Sequence, residues 1–176
     1  AACARFAAVH VPALLSSADA FSRGSVLDAL HESFVQVDKE FEKTQEPSGS
    51  CALVAVIGGN RLYVAHAGDS RAVLCSAGLA HRLTEDHKPG TKEERERLAD
   101  AGGDVVFSGN CWRVTHKRTQ MMLATSRSLG DIAFKHSWEL AAAEARVEKQ
   151  IEEATGGEPS ADSAEGEPSA DSADDC

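Results

Sequence analysis

Apolar residues recur in steps of three and four at Leu27, Leu30, Phe34, Val37 and Phe41. No Gly or Pro interrupts them, so the spacing predicts a helix of about five turns with that stripe turned inward. A weaker stripe, Phe6, Val9, Ala13 and Leu14, predicts an amphipathic helix over residues 4–15 with Phe6 and Val9 facing the interior. Pro12 removes one backbone donor and weakens that helix locally. Residues 16–25 read as a loop. At Cys51 the period changes. Residues 51–57 form a short continuous apolar run, Gly58-Gly59-Asn60 tolerates positive φ, and residues 62–67 return with β-branched and aromatic side chains. That is the pattern of a β-hairpin. Residues 72–75 and 79–83 around Ala77-Gly78 predict two more strands, and the short connections predict one antiparallel meander. The charged segment 92–101 predicts a helix stopped by Gly102-Gly103. Residues 104–107 and 112–115 predict strands about the turn Ser108-Gly109-Asn110. Beyond Lys135, residues 138–153 are rich in Ala, Glu and Arg and predict a helix on propensity alone, with a thin apolar face.

Composition changes this picture at one place. The chain of 176 residues is 42% hydrophobic, enough for one domain with a core, and carries a formal net charge of -10. Eleven of the acidic residues and only two basic ones lie after Leu140, which leaves seventeen acidic and sixteen basic residues before it. The acidity therefore belongs to the C-terminal segment, and no basic face speaks for nucleic acid. Within that segment Gly157 to Ala164 is repeated letter for letter at Gly166 to Ala173. So little apolar surface cannot offset chain entropy, and residues 155–176 are expected to be disordered.

The five cysteines, Cys3, Cys51, Cys75, Cys111 and Cys176, are odd in number and widely spaced. They argue against a disulfide framework and for a reducing, intracellular compartment, cytoplasmic or nuclear. No apolar run approaches the roughly 18 residues that a membrane span needs. The sequence opens on Ala1 rather than Met, inside what reads as a helix, which suggests a fragment or a processed product.

The chemistry rests on a series of polar motifs. Ser48-Gly49-Ser50 precedes the first hairpin. Gly68-Asp69-Ser70-Arg71-Ala72-Val73-Leu74 follows it, then Thr84-Glu85-Asp86-His87-Lys88-Pro89, then Thr125-Ser126-Arg127-Ser128-Leu129-Gly130-Asp131. Motif after motif, in this order, the chain resembles the metal-dependent serine/threonine protein phosphatases of type 2C. The resemblance covers about residues 1–135. It implies an α+β fold, an antiparallel β-sandwich flanked by helices, incomplete here at both ends. It divides the chain into a partial phosphatase domain (1–135), an Ala/Glu-rich helix (136–154) and an acidic repeat tail (155–176).

The resemblance also implies a reaction. Two Mg²⁺ or Mn²⁺ ions, held by carboxylates, lower the pKa of a bridging water whose hydroxide attacks the phosphorus of phosphoserine or phosphothreonine. The partners would be phosphorylated proteins, with neither nucleic acid nor membrane involved. The family's main ligands lie in Asp-Gly-His-Gly-Gly, Asp-Gly-x-Trp-Asp and Asp-Asn motifs, and none occurs in these 176 residues. No catalytic residue is therefore assigned. Asp69 corresponds to an aspartate that helps hold an additional metal; the alternative is an Asp capping a tight turn. Gly68, Ser70, Arg71, Asp86, His87, Ser126, Arg127, Gly130 and Asp131 belong to family motifs and are expected to act mainly as structure. The expected function is that of a protein serine/threonine phosphatase, with this chain a catalytically incomplete portion. The alternative is a non-catalytic scaffold that serves as a binding module.

Other chemistries lack their sequence warrant. Cys111 and His116 have no second ligand pair for zinc, and neither a Gly-x-Ser-x-Gly elbow nor a phosphate-binding Gly-x-x-x-x-Gly-Lys loop occurs. The basic cluster Arg113, His116, Lys117 and Arg118 reads as a solvated loop or as a docking surface for a phosphorylated partner.

Overall fold

The computed structural model describes residues 2–155, so the acidic repeat lies outside the described residues. These residues form an α+β structure in which every strand pairing is antiparallel. They divide into two compact units. One holds the residues up to Lys88 together with Thr125–Ala133, and the other holds Pro89–Ala124 with the residues from Phe134 onward.

In the first unit, α1 (Ala2–Ser17), a single turn α2 (Asp19–Ser22) and α3 (Val26–Glu42) precede β1 (Gly49–Ser50), β2 (Ala52–Gly58) and β3 (Arg61–Ala67). Helix α1 runs unbroken through Pro12. Its inward face is the i, i+4 row Cys3, Ala7, Val11 and Leu15, while Val9 is 68% exposed, contrary to expectation. Small side chains let α1 lie close to its neighbours, and that row outweighs the larger but wrongly placed Val9. Helix α3 buries Ala29, Leu30, Ser33, Val37 and Phe41, with Phe34 packed beside them. Leu27, expected inward, is exposed in its first turn.

Strands β2 and β3 pair in full register from Ala52↔Ala67 to Gly58↔Arg61, closing on a two-residue turn at Gly59-Asn60. The alternate residues Val54, Val56, Tyr63 and Ala65 pack against the helices, so one side of the hairpin completes the core. β4 (Val73–Ser76) and β5 (Leu79–Arg82) form a second hairpin. Its turn carries φ of 50° at Ala77 and 77° at Gly78, the twist that two-residue hairpins favour. The meander predicted across all four strands is absent: β3 and β4 do not pair, and each hairpin stands as its own two-stranded sheet. The reason is the segment between them, which turns aside at Gly68 to meet another part of the chain.

In the second unit, α4 (Lys92–Asp100) is capped by Thr91, whose side chain accepts from the Glu94 amide. It ends with Gly102 N–H bonded to Ala99 O and Gly103 N–H to Leu98 O, with φ +79° at Gly102. These are the two bonds of a Schellman cap, which explains the glycine pair. β6 (Asp104–Ser108), β7 (Cys111–Thr115) and β8 (Met122–Leu123) make a three-stranded sheet. A last strand, β9 (Leu129–Gly130), returns to the first unit and pairs with β1. Helix α5 (Ile132–Thr155) starts well before the residues that propensity alone favours. Phe134 and Trp138 are the reason: Phe134 is buried, and Trp138 Nε1 donates to Thr115 O at 3.1 Å, so packing extends the helix toward its N-terminus.

Candidate functional site

The motifs from separate parts of the sequence meet in the first unit, and His87 joins them. Its backbone N–H donates to Gly68 O and its Nδ1 accepts from Gly68 N–H, both at 3.1 Å. Its carbonyl accepts from Ser126 N–H at 3.0 Å and from Thr125 Oγ1 at 3.1 Å. The ring stacks on His66 with centroids 4.3 Å apart, and His66 Nε2 is bonded to Glu85 O. Gly68 has φ +100°, and a Cβ there would meet Cys51 Sγ at 2.3 Å and Arg127 O at 3.1 Å. Only glycine satisfies both the dihedral and the space.

Beyond Gly68, the Asp69 carboxylate is held at both oxygens. Cys51 Sγ–H donates to Oδ1 at 3.1 Å and Lys88 Nζ donates to Oδ2 at 3.0 Å. The thiol hydrogen bond, with the Lys88 ammonium, holds the Asp69 carboxyl below its ordinary range, while burial pushes the Cys51 thiol up. The two shifts agree on one state, an ionised Asp69 accepting from a protonated Cys51. Ser70 is half-buried in the same turn. Arg71 then forms a two-pronged pair with Asp86, Nε to Oδ1 at 3.1 Å and Nη2 to Oδ2 at 2.8 Å. Arg82 Nη2 adds a third bond to Asp86 Oδ1 at 2.9 Å. The Arg71 hydrogen bond, reinforced by the charges of Arg71, Arg82 and Lys88, keeps the Asp86 carboxyl low. Thr84, buried, accepts from Ala72 N–H and passes its carbonyl to Arg82 Nε.

The third meeting joins β1 to β9, with Gly49 opposite Gly130 and Ser50 opposite Leu129. Asp131, at φ +50°, donates its N–H to Ser48 O at 3.1 Å, and its Oδ2 accepts from Ser128 Oγ at 2.6 Å. A Cβ on Gly49 would overlap the Asp131 carboxylate, and one on Gly130 would lie 2.2 Å from Ser48 O. Gly130 N–H donates to Asp38 Oδ1 of α3, and Cys3 Sγ–H to Leu129 O, so the junction is anchored to the helical core. Ser126 is buried and its N–H donates to His87 O, whereas Arg127 is exposed.

The structure thus gathers Gly68, Asp69, Arg71, Asp86, His87, Ser126, Gly130 and Asp131 within the first unit. Four partners were not singled out from sequence: Cys51, Lys88, Arg82 and Asp38. Lys88 and Arg82 lie within and beside the quoted motifs, but nothing in their spacing tells which carboxylate each will meet. Among the described residues, no group of three or more His, Cys, Asp or Glu side chains is assembled that could hold a metal ion. The carboxylates of Asp69, Asp86 and Asp131 all accept from protein donors. The donor set of these residues does not fit a pair of hard cations, which need several carboxylate oxygens turned to one point.

Elsewhere, Cys111 is buried, while His116 accepts the Arg118 amide at Nδ1 and sets its ring edge against Phe134. Lys117 and Arg118 pair with Asp104 and Glu144, so the basic cluster is at least half neutralised by its own neighbours. No described helix is long and apolar enough to cross a membrane.

This arrangement of motifs has known counterparts. The family model for Protein phosphatase 2C matches residues 1–171. The chain is 42% identical over 121 residues to probable protein phosphatase 2C 14 of Arabidopsis thaliana, an alignment that covers 69% of this chain and 26% of that protein. With protein phosphatase 2C homolog 3 of Schizosaccharomyces pombe it shares 38% over 138 residues, 76% of this chain and 31% of that one. It therefore spans about a quarter to a third of the length of these relatives. Among solved structures, serine-threonine phosphatase 2C from Toxoplasma gondii superposes with a TM-score of 0.61 at 22% identity, covering 76% of this chain and 56% of that one. A C. elegans sex determining protein superposes at 0.65 with 26% identity, covering 77% and 34%. With these matches and the motif junction together, the chain belongs to the protein phosphatase 2C family.

Proposed function

We propose that this chain is a portion of a serine/threonine protein phosphatase whose activity is the Mg²⁺- or Mn²⁺-dependent hydrolysis of phosphoserine and phosphothreonine on intracellular proteins. Membership of a metal-dependent phosphatase family over residues 1–171 is the observation that carries this reading. The part played by these residues is scaffolding: Gly68, His87, Gly130 and Asp131 fix the turns from which a site at this end would be built. With the three motif carboxylates engaged by protein donors, no step of the reaction is assigned to a side chain of this chain.

On this reading the 176 residues by themselves have negligible activity. The purified chain, given a phosphothreonine peptide with Mn²⁺ or Mg²⁺, should release no phosphate beyond an Asp69→Asn control. Metal-dependent turnover that the Asp69→Asn variant loses would overturn this. A non-catalytic binding scaffold is the second reading, favoured by the same engaged carboxylates. It requires the chain alone to unfold in one cooperative thermal transition and to bind the phosphopeptide without hydrolysing it.

A further inference from the structure

The loop between β7 and β8 carries a feature that the phosphatase reading does not use. Residues 116–121 close on themselves through His116 N–H to Met121 O at 3.1 Å, which lifts Lys117, Arg118 and Thr119 to an exposed tip. Lys117 Nζ meets Asp104 Oδ2 of β6 at 2.6 Å, and Arg118 Nη2 meets Glu144 Oε1 of α5 at 2.7 Å. Arg118 and Glu144 are 60% and 55% exposed, so their pair is the sort that water and salt hold weakly. Thr119 follows directly, and its Oγ1 accepts from Met121 N–H at 3.3 Å.

We propose that Thr119 is a phosphorylation site for a protein kinase that selects basic residues just before its target, and that the phosphate takes Arg118 from Glu144 and Lys117 from Asp104. In that step Thr119 Oγ1 attacks the γ-phosphorus of the nucleoside triphosphate held by the kinase. The bond to the departing nucleoside diphosphate breaks and the hydroxyl proton passes to the kinase. The product bears close to two negative charges and three strong acceptor oxygens, against one charge on each present carboxylate partner. It stands one and two residues from the two cations, so exchange needs only side-chain rotation. The Met121 amide keeps an acceptor. Two neighbouring acids, Asp104 and Glu144, would be released, and with them the ties from the loop to β6 and α5.

Other hydroxyls after basic residues are already committed. Ser128, after Arg127, is half-buried and donates to Asp131; Thr44, after Lys43, is exposed but donates to Phe41 O. Ser25, Thr115 and Ser137, two residues after a basic one, donate to Asp28, Asp104 O and Phe134 O, while Thr84 accepts from Ala72 N–H. Opening a short exposed loop into a kinase cleft also costs less than opening a strand or helix.

The test uses the whole chain, ATP and a basic-directed kinase, with the label located by tandem mass spectrometry. Thr119 should be the main site, and the double variant Lys117→Ala/Arg118→Ala should be labelled about tenfold more slowly, the loss of one charge-assisted contact. Phosphorus NMR of the labelled chain should place the phosphate's titration midpoint below the value of about 6 for an unpaired phosphothreonine. In the double variant it should move back toward that value. A label absent from Thr119, equal labelling of the double variant, or an unshifted midpoint overturns the proposal.

Discussion

The β1–β9 junction and the β7–β8 loop are both short irregular segments, yet the chain holds them by opposite means. At the junction, most contacts run from backbone to backbone or from a fixed side chain to backbone: Asp131 N–H to Ser48 O, Gly130 N–H to Asp38 Oδ1 and Cys3 Sγ–H to Leu129 O. Space there is so limited that the glycines at 49 and 130 admit no Cβ. In the loop, Lys117 and Arg118 reach acids on β6 and α5 through long side chains, and residues 117–120 are exposed. Backbone clamps set a turn to a fraction of an ångström and tolerate little. Ion pairs between long side chains can be exchanged, which suits a segment meant to be addressed from outside.

Gly130→Ala tests the rigid side most severely. The new Cβ would lie 2.2 Å from Ser48 O, 3.0 Å from Cys3 Sγ and 3.1 Å from Gly49 Cα, at a φ of +74°. Two of the three obstacles belong to backbone or its Cα, which cannot rotate away. A loss of about 3 kcal/mol or more is expected in chemical denaturation. Gly24→Ala is the control: its φ is +81° but nothing lies within 4 Å, so only the dihedral cost of about 1 kcal/mol applies. Equal losses from the two substitutions would mean that the junction is not tightly packed.

How much of this could be read in advance divides along the same line. The motifs carried the family, and period and turn residues placed the hairpins at Gly59-Asn60 and Ala77-Gly78, because both depend on local φ preferences. What failed was long-range. Val9 and Leu27 were expected inside from the spacing of the larger apolar residues, but orientation is set by which row of the helix packs inward, and there the small residues Cys3, Ala7 and Ala29 fit. The four-strand meander failed because Gly68 leaves the ladder to bond His87, a partner that neither segment announces. The engagement of Asp69 by Cys51 and Lys88 was illegible for the same reason: thirty-seven positions separate the two donors, and only the fold brings them to one carboxylate.

Acid should separate the paired carboxylates of the Gly68–His87 motif segments from the rest. Asp69 and Asp86 both have folded pKa values lowered from the ordinary 3.8, by Cys51 and Lys88 in one case and by the arginines in the other. A depressed folded pKa means that the unfolded chain takes up protons first. The stabilisation is therefore complete above the unfolded value of about 4, and is lost as pH falls through the folded values. Stability measured between about pH 5 and pH 2 should fall less steeply in Asp69→Asn and in Asp86→Asn than in the parent chain. At pH 7 each variant should be the less stable, since Lys88 or the arginine pair loses its counter-charge. An unchanged slope in both variants would show that these pairs do not differ between folded and unfolded chain.

Glu144→Gln probes the exchangeable side and should have the smallest effect of all. Arg118 and Glu144 are both more than half exposed, so the pair contributes no more than about 0.5 kcal/mol at low salt, and screening removes most of that near physiological ionic strength. Thermal denaturation in low salt should show a small decrease in Tm that disappears in high salt. A loss that persisted in salt would mean that the Arg118 contact is a fixed strut of α5, and the loop would then be as rigid as the junction with which it is contrasted. A loss that salt abolishes leaves Arg118 free to change partners, the condition on which its transfer to a phosphate on Thr119 depends.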